Sequence, residues 1–184
     1  MEADSEQFEA LFQEHAGAVQ AYCLRRARPE DAYDAAAEVF VVAWRKRRRL
    51  PDDEQVLPWL YGIAARVLAN QRRASRRQTA FLSRLLGAGE EIRSGPEEQV
   101  VSNAETREVL DALENLSPTD REIVLLVAWE ELTREQAALV LGCSPEAAKK
   151  RYQRATRRLE RMLGLGQDRG KRSPGYRSEV AGNE

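Results

Sequence analysis

The sequence predicts an all-α protein made of two small helical domains joined by a flexible linker. Three observations predict it. Apolar residues recur at helical spacing along most of the chain, and no alternating strand pattern or internal repeat interrupts them. Proline and hydroxyl residues stand at helix starts, and glycine at a helix stop. Between about Thr79 and Asn103 the periodicity lapses, and "FLSRLLGAGEEIRSGPEEQ" has the Gly, Pro and acidic composition of a linker. The 184 residues therefore divide into a first domain over 5–78, a linker over 79–103, a second domain over 104–164 and an aperiodic tail over 165–184.

In the first domain, Phe8, Leu11, Phe12, His15, Val19, Tyr22 and Cys23 mark one face of a helix that ends around Arg28, before Pro29. The next segment, "PEDAYDAAAEVFVVAWRKRRR", has Pro29 in its first turn, Glu30, Asp31 and Asp34 near its positive end and Arg45 to Arg49 at its negative end. Its expected buried stripe is Ala32, Ala35, Ala36, Val39, Phe40, Ala43 and Trp44. "LPDDEQVLP" breaks the periodicity with two prolines and reads as a loop, so the third helix is expected to begin at Pro58. In "PWLYGIAARVLANQRRASRR" the residues Trp59, Leu60, Ile63, Ala64, Val67 and Leu68 form the apolar face, and Arg66, Asn70, Arg73 and Arg77 a basic edge.

In the second domain, "AETREVLDALENL" is helical, and Ser117, Pro118 and Asp120 open the helix "PTDREIVLLVAWEE". The stretch "TREQAALVLGCSPEAAKKRYQRATRRLERML" carries more information. Thr133 with Gln136 is a capping box, Gly142 suits the left-handed stop, and Ser144 with Pro145 starts a new helix. Two helices joined through so short a glycine corner form a helix-turn-helix, whose second helix enters the major groove. Ala148, Tyr152, Ala155, Leu159 and Met162 repeat as its buried face, and Lys149, Lys150, Arg154, Arg157 and Arg161 make the complement cationic. A charged helix face is ordinarily just solvated; the capped corner before it is what points to DNA. Glu146, Ala147, Lys149, Lys150, Arg151 and Gln153 lie early enough to reach base edges, Arg154, Arg157 and Arg158 suit phosphates, and the capping Ser144 is counted with them as a DNA-binding candidate.

Composition excludes several function classes. The net charge of -1 conceals basic clusters at Arg45 to Arg49, Arg72 to Arg77 and Lys149 to Arg161 and acidic stretches at Glu90 to Glu98 and Glu105 to Glu114. Cys23 and Cys143 are too few and too far apart for a disulfide framework or a zinc site, and read as small buried or half-buried hydrophobes. The acidic N-terminal stretch is no signal peptide, and no apolar run reaches membrane-spanning length, so a reducing cytoplasm is the expected home, with no membrane insertion. The neighbouring acids Asp52, Asp53 and Glu54 diverge, His15 is the sole histidine and sits on an apolar stripe, and no Gly-rich phosphate loop occurs. No enzyme, metal or cofactor is expected.

Taken in order, these segments resemble the extracytoplasmic-function subfamily of the sigma-70 family of bacterial transcription initiation factors. "PEDAYDAAAEVFVVAWRKRRRL" is similar to that family's D-A-E-D-x-x-Q-E-V-F-x-x-A-W segment, and "PWLYGIAARVLANQRR" to its W-L-x-x-I-A-x-N segment. "LSPTDREIVLLVAWEELTREQAALVLGCSPEAAKKRYQRATRRL" is similar to its region 4. The resemblance implies a protein that binds core RNA polymerase, through the beta-prime coiled coil and the beta flap, and directs it to promoter DNA. It places Asp31, Asp34, Glu38, Phe40 and Trp44 in or beside the beta-prime interface. It makes Asp52, Asp53, Glu54, Gln55, Arg66, Asn70 and Arg73 the minus-ten readers, where a base is flipped at a cost of a few kcal/mol. The helix after Ser144 becomes the minus-thirty-five reader. Family members are commonly held inactive by an anti-sigma factor wedged between the domains, which the Gly87 to Gln99 linker would permit.

The chain departs from the family pattern at Tyr33, where an acid is usual, at Ala37 for Gln, at Arg66 for Asn, and at Ala147 and Ala148 for Thr-Val. The minus-thirty-five sequence therefore cannot be carried over. The alternative is a stand-alone helix-turn-helix regulator, which leaves the segment from Asp31 to Arg77 without a role.

Overall fold

The computed structural model describes residues 2–86 and 104–165, with side chains over 5–81 and 106–165. Among them the secondary structure is seven α-helices and one 3-10 turn. Helices α1 (Glu2–Leu24), α2 (Pro29–Arg45) and α3 (Asp53–Leu86) pack mutually, with the 3-10 turn Arg47–Arg49 after α2. Helices α5 (Pro118–Ala128), α6 (Arg134–Leu141) and α7 (Pro145–Met162) form the second unit, with α4 (Ala104–Glu114) against α7. Helix α6 also lies along α3, so the two units meet.

Four small residues on α2, Ala32, Ala35, Ala36 and Ala43, are buried and let it approach α1 and α3 closely. Aromatic pairs fill the remaining space: Tyr22 stacks on Tyr61 at 4.6 Å, and Phe12 meets Phe40 edge-on at 4.8 Å. The expected α2 stripe is buried except at Trp44, which is 37% exposed. Trp44 stands in the last turn of α2, where Phe8 covers only one edge at 5.0 Å and Arg47 lies 4.2 Å over its face.

Helix α3 starts at Asp53, earlier than the expected Pro58, and leaves only a short connection after the 3-10 turn. Val56 extends the apolar stripe of Leu60, Ala64 and Val67 backwards and is buried, which supports the extra turn. Asp53 and Glu54 also suit the positive helix end. Pro58, fully buried inside the helix, cannot donate to the Glu54 carbonyl one turn earlier. That carbonyl instead accepts 3.3 Å from the Gln136 side-chain amide of α6. Helix α3 also runs on to Leu86, into the segment read as linker. The remainder of that linker, 87–103, and the tail beyond 165 lie outside the described residues.

The second unit follows its capping signals. The Ser117 hydroxyl accepts from Asp120 N, the Thr133–Gln136 box closes in both directions, and Gly142 adopts φ 63° at the end of α6. Leu113, Leu116, Ile123, Val124, Ala138, Ala148 and Ala155 form its core. Tyr152 and Leu159 are half-buried against it, while Met162, at the last turn of α7, is exposed. Asp120 is buried at the start of α5 and receives 2.7 Å from Arg154 Nη2, which ties α5 to the middle of α7. Burial by itself would raise the Asp120 carboxyl, but Arg154 and Ser117 hydrogen-bond it and the Arg154 and Arg151 charges face it, so it titrates below the usual range.

Two consequences can be measured. Glu131, at φ 56°, is the one non-glycine residue in the left-handed region among those described; Glu131→Gly is expected to raise unfolding stability in urea by about 1 kcal/mol, and no gain would remove the strain. Asp120→Asn is expected to cost about 1–2 kcal/mol at neutral pH, a modest figure because the Arg154 side chain is 67% exposed. A depressed carboxyl contributes its stability above its unfolded value and loses it as pH falls, so the gap between wild type and variant should close below about pH 4. A gap independent of pH would contradict the ion pair.

Candidate nucleic-acid interface

The glycine corner sets the geometry of α7. With Gly142 left-handed and the Ser144 hydroxyl accepting from Ala147 N at 3.2 Å, α7 leaves α6 abruptly and buries Ala148 and Ala155 against α5 and α6. Lys149, Lys150, Arg157 and Arg158 are exposed on its other side, Glu146 is exposed at its start, and Ala147 and Arg151 are half-buried. Ser144 is therefore engaged as a cap. Arg154 is reachable, but its guanidinium is already paired with Asp120, a positioning role that spacing on α7 alone could not reveal because the partner lies on another helix.

On α3 a single face carries Gln55, Trp59, Gly62, Arg66, Asn70, Arg73 and Arg77, each a helical turn or so from the last. Gln55, Arg66, Asn70 and Arg73 are exposed, and Arg73 donates 2.6 Å to the Asn70 side-chain oxygen. Asp52, Asp53 and Glu54 are exposed at the helix start. The structure adds Trp59, half-buried and lining a cleft with Pro51, Gln55, Gly62, Arg66 and Leu139. Sequence reasoning placed Trp59 in the core; the signal that it also borders this cleft was its helical spacing from Gln55 and Arg66.

Helix α2 presents a different surface. Asp31, Asp34 and Glu38 are exposed on it, with Tyr33, Ala37 and Val41 beside them. Phe40 is buried against Phe12, so it supports this surface from beneath, and Trp44 lies half on it. The three candidate groups thus occupy three separate helices.

A charged cluster that the sequence did not bring together joins the two units. Arg26, its side chain 5% exposed, lies 3.6 Å over the Tyr22 ring. Its Nε donates to both Glu122 oxygens at 3.0 and 3.1 Å, and its Nη1 donates 2.9 Å to Glu130. Arg25 also pairs with Glu130, and the Tyr22 hydroxyl donates 2.9 Å to Glu122. Burial pushes the Tyr61 hydroxyl up to about 12, reinforced by the neighbouring Glu130 carboxylate, so it stays protonated. Among the described residues no group of His, Cys, Asp and Glu could hold a metal ion, and no helix is long and apolar enough to cross a membrane.

Comparison with known proteins places both units in one family. Sigma-70 region 2 matches residues 11–78, and Sigma-70, region 4 matches residues 106–159. The RNA polymerase sigma factor CarQ of Myxococcus xanthus is 32% identical over 161 residues, 85% of this chain and 89% of its own. CnrH of Cupriavidus metallidurans is 31% identical over 142 residues, 72% of this chain and 73% of its own. In three dimensions the chain resembles the sigma factor RpoE, solved with the anti-sigma factor NepR from Bartonella quintana, with a TM-score of 0.66 at 23% identity over 88% of this chain and 99% of that one. It also resembles CnrH solved with the cytosolic domain of CnrY, with a TM-score of 0.56 at 23% identity over 88% and 90%. With both family regions in register and relatives matched over most of their length, the chain belongs to the sigma-70 family of RNA polymerase sigma factors, in its extracytoplasmic-function branch.

Proposed function

We propose that this chain binds core RNA polymerase and starts transcription at promoters bearing minus-thirty-five and minus-ten elements, acting in the cytoplasm without catalysis of its own. The observation that carries the reading is the separation of three surfaces on one chain: an exposed acidic face on α2, a cationic and amide-bearing stripe with Trp59 on α3, and the cationic first half of α7. A stand-alone regulator needs only the last.

Each surface suits its proposed task. Asp31, Asp34 and Glu38 offer carboxylates to a basic partner surface on the beta-prime subunit, with Trp44 and Tyr33 supplying exposed aromatic area beside them. Helix α7 inserts its first half into the major groove, Lys149 and Lys150 toward bases and Arg157 and Arg158 toward phosphates. Region 4 also meets the beta flap in this reading. On α3, Trp59 offers a stacking platform, while Arg66, Asn70 and Arg73 hold the strand backbone and Gln55 and the acidic turn border an extruded base. An anti-sigma partner, of the kind seen with RpoE and CnrH, belongs to the same proposal.

Run-off transcription with purified core polymerase tests the reading: transcripts from a cognate promoter should require this protein. Lys150→Glu should abolish promoter binding and leave co-migration with core intact, and Asp34→Arg should do the reverse. Arg157→Gln should flatten the salt dependence of promoter binding by about 0.9 in log–log slope. Absence of transcript dependence together with absence of co-migration would overturn the assignment, and both defects in one variant would overturn the division of labour.

A further inference from the structure

Asp120 lies outside α7, yet it faces the cations of that helix from the neighbouring α5. Its side chain is 9% exposed and accepts 2.7 Å from Arg154 Nη2, whereas the Arg154 side chain is 67% exposed. The acid is itself fixed. It stands in the first turn of α5, where its backbone N donates 3.2 Å to the Ser117 hydroxyl and Ser117 in turn hydrogen-bonds its carboxylate. A guanidinium has five N–H donors, so Arg154 keeps a free, water-facing edge once this bond is made. At about 100° per residue, Lys150 and Arg157 point directly away from buried Ala148, while Arg154 stands about 120° round, on the flank of α7 that meets α5. A helix about 10–12 Å across fills a major groove about 12 Å wide, so side chains on its flanks meet the phosphate walls rather than the base edges.

We propose that Asp120 is a positioning residue for promoter binding: it holds the Arg154 guanidinium on the flank of α7 so that its free edge meets a DNA phosphate. This rests on the sigma reading and adds to the minus-thirty-five site a residue of α5 that does not itself touch DNA. An arginine left to itself spreads over many rotamers and loses that freedom on binding; one already bonded to a buried carboxylate has lost it in the free protein. The carboxylate also has an opposing effect, because its negative charge beside the groove repels the same phosphates. The sign of the net effect therefore separates two roles. An acid that serves the fold alone weakens DNA binding through its charge, so removing it tightens the complex. An acid that positions Arg154 loosens the complex when it is removed.

The test uses holoenzyme assembled from core polymerase and the full chain, with a labelled duplex promoter that the wild-type holoenzyme selects from a random-sequence pool. Fluorescence anisotropy reads affinity across a salt series, at a temperature where urea unfolding shows every variant folded. Asp120→Ala should bind at least about fivefold more weakly than wild type, and Asp120→Asn, which keeps the shape of the side chain, should shift in the same direction. Arg154→Gln should weaken binding about tenfold and flatten the log–log salt slope by about 0.9, the mark of a lost phosphate contact that a purely structural strut would not leave. Asp120→Ala on top of Arg154→Gln should add less than about twofold, because the acid acts through the arginine. Glu108→Gln, which removes the same charge from an exposed position on α4, should leave binding within about twofold of wild type. Unchanged or tighter binding by both Asp120 variants, an unchanged salt slope for Arg154→Gln, or losses that simply multiply in the double variant would overturn the positioning role. A wild-type chain that confers no promoter selection on core would overturn the sigma reading instead, and the same variants of the free chain on a duplex of mixed sequence would then decide the role of Asp120.

Discussion

The arrangement of the two units depends on one buried guanidinium. Arg26 leaves the end of α1 and is taken out of water between Glu122, Glu130 and the Tyr22 ring. Burial works against its charge, and the facing Tyr22, Glu122 and Glu130 restore it, so the group stays charged. Such a group is satisfied only when both carboxylates are in place, and removing one partner of a buried pair typically costs about 3–5 kcal/mol. Desolvation consumes much of the attraction, and Nη2 of Arg26 has no partner among the described residues. The cluster is therefore better suited to fixing one docking geometry than to adding large stability. An interface of this kind separates as a whole, because water returns to every charge at once.

Two further features tie the units to the same geometry. The first core is completed across the junction by Leu126, Leu132, Ala137 and Val140, which contribute apolar area that the first unit cannot cover alone. Pro58 leaves the Glu54 carbonyl without its helical donor, and Gln136 supplies one from the other unit while its oxygen still accepts from Thr133 N in the capping box. The same side chain thus finishes two helix starts. In consequence the helices proposed to face the promoter are positioned by each other's elements, and the surface proposed to read single strands is built from residues that α6 approaches.

Much of this was legible in the sequence, for reasons particular residues make plain. Caps at Ser117, Thr133 and Ser144 and the stop at Gly142 act within a turn or two, so their spacing shows directly. The alanine-rich stripe of α2 repeats at helical period and is buried as its pattern indicates, short of Trp44 at the helix end. What spacing could not show is pairing between distant segments. Arg25 and Arg26 are about a hundred residues from Glu122 and Glu130 in sequence, the separation at which hydrogen bonds join Arg26 to Glu122 across 96 positions and Arg25 to Glu130 across 105. Pro58 reads as a helix start because a proline inside a helix leaves a carbonyl without its donor; here that defect is repaired from α6, which no local pattern shows. Asp120 and Arg154 each had a local reading, as first-turn acid and phosphate ligand, and only folding makes them partners.

The most direct measurement of the central claim is the distance between the units in the free protein. Nitroxide labels at Gln13→Cys on α1 and Gln153→Cys on α7, both exposed positions, in a Cys143→Ser background with Cys23 buried, report it by pulsed electron–electron resonance. The docked arrangement predicts one narrow distance distribution for the chain without polymerase or DNA. A broad distribution, as two bodies on a tether would give, would contradict it.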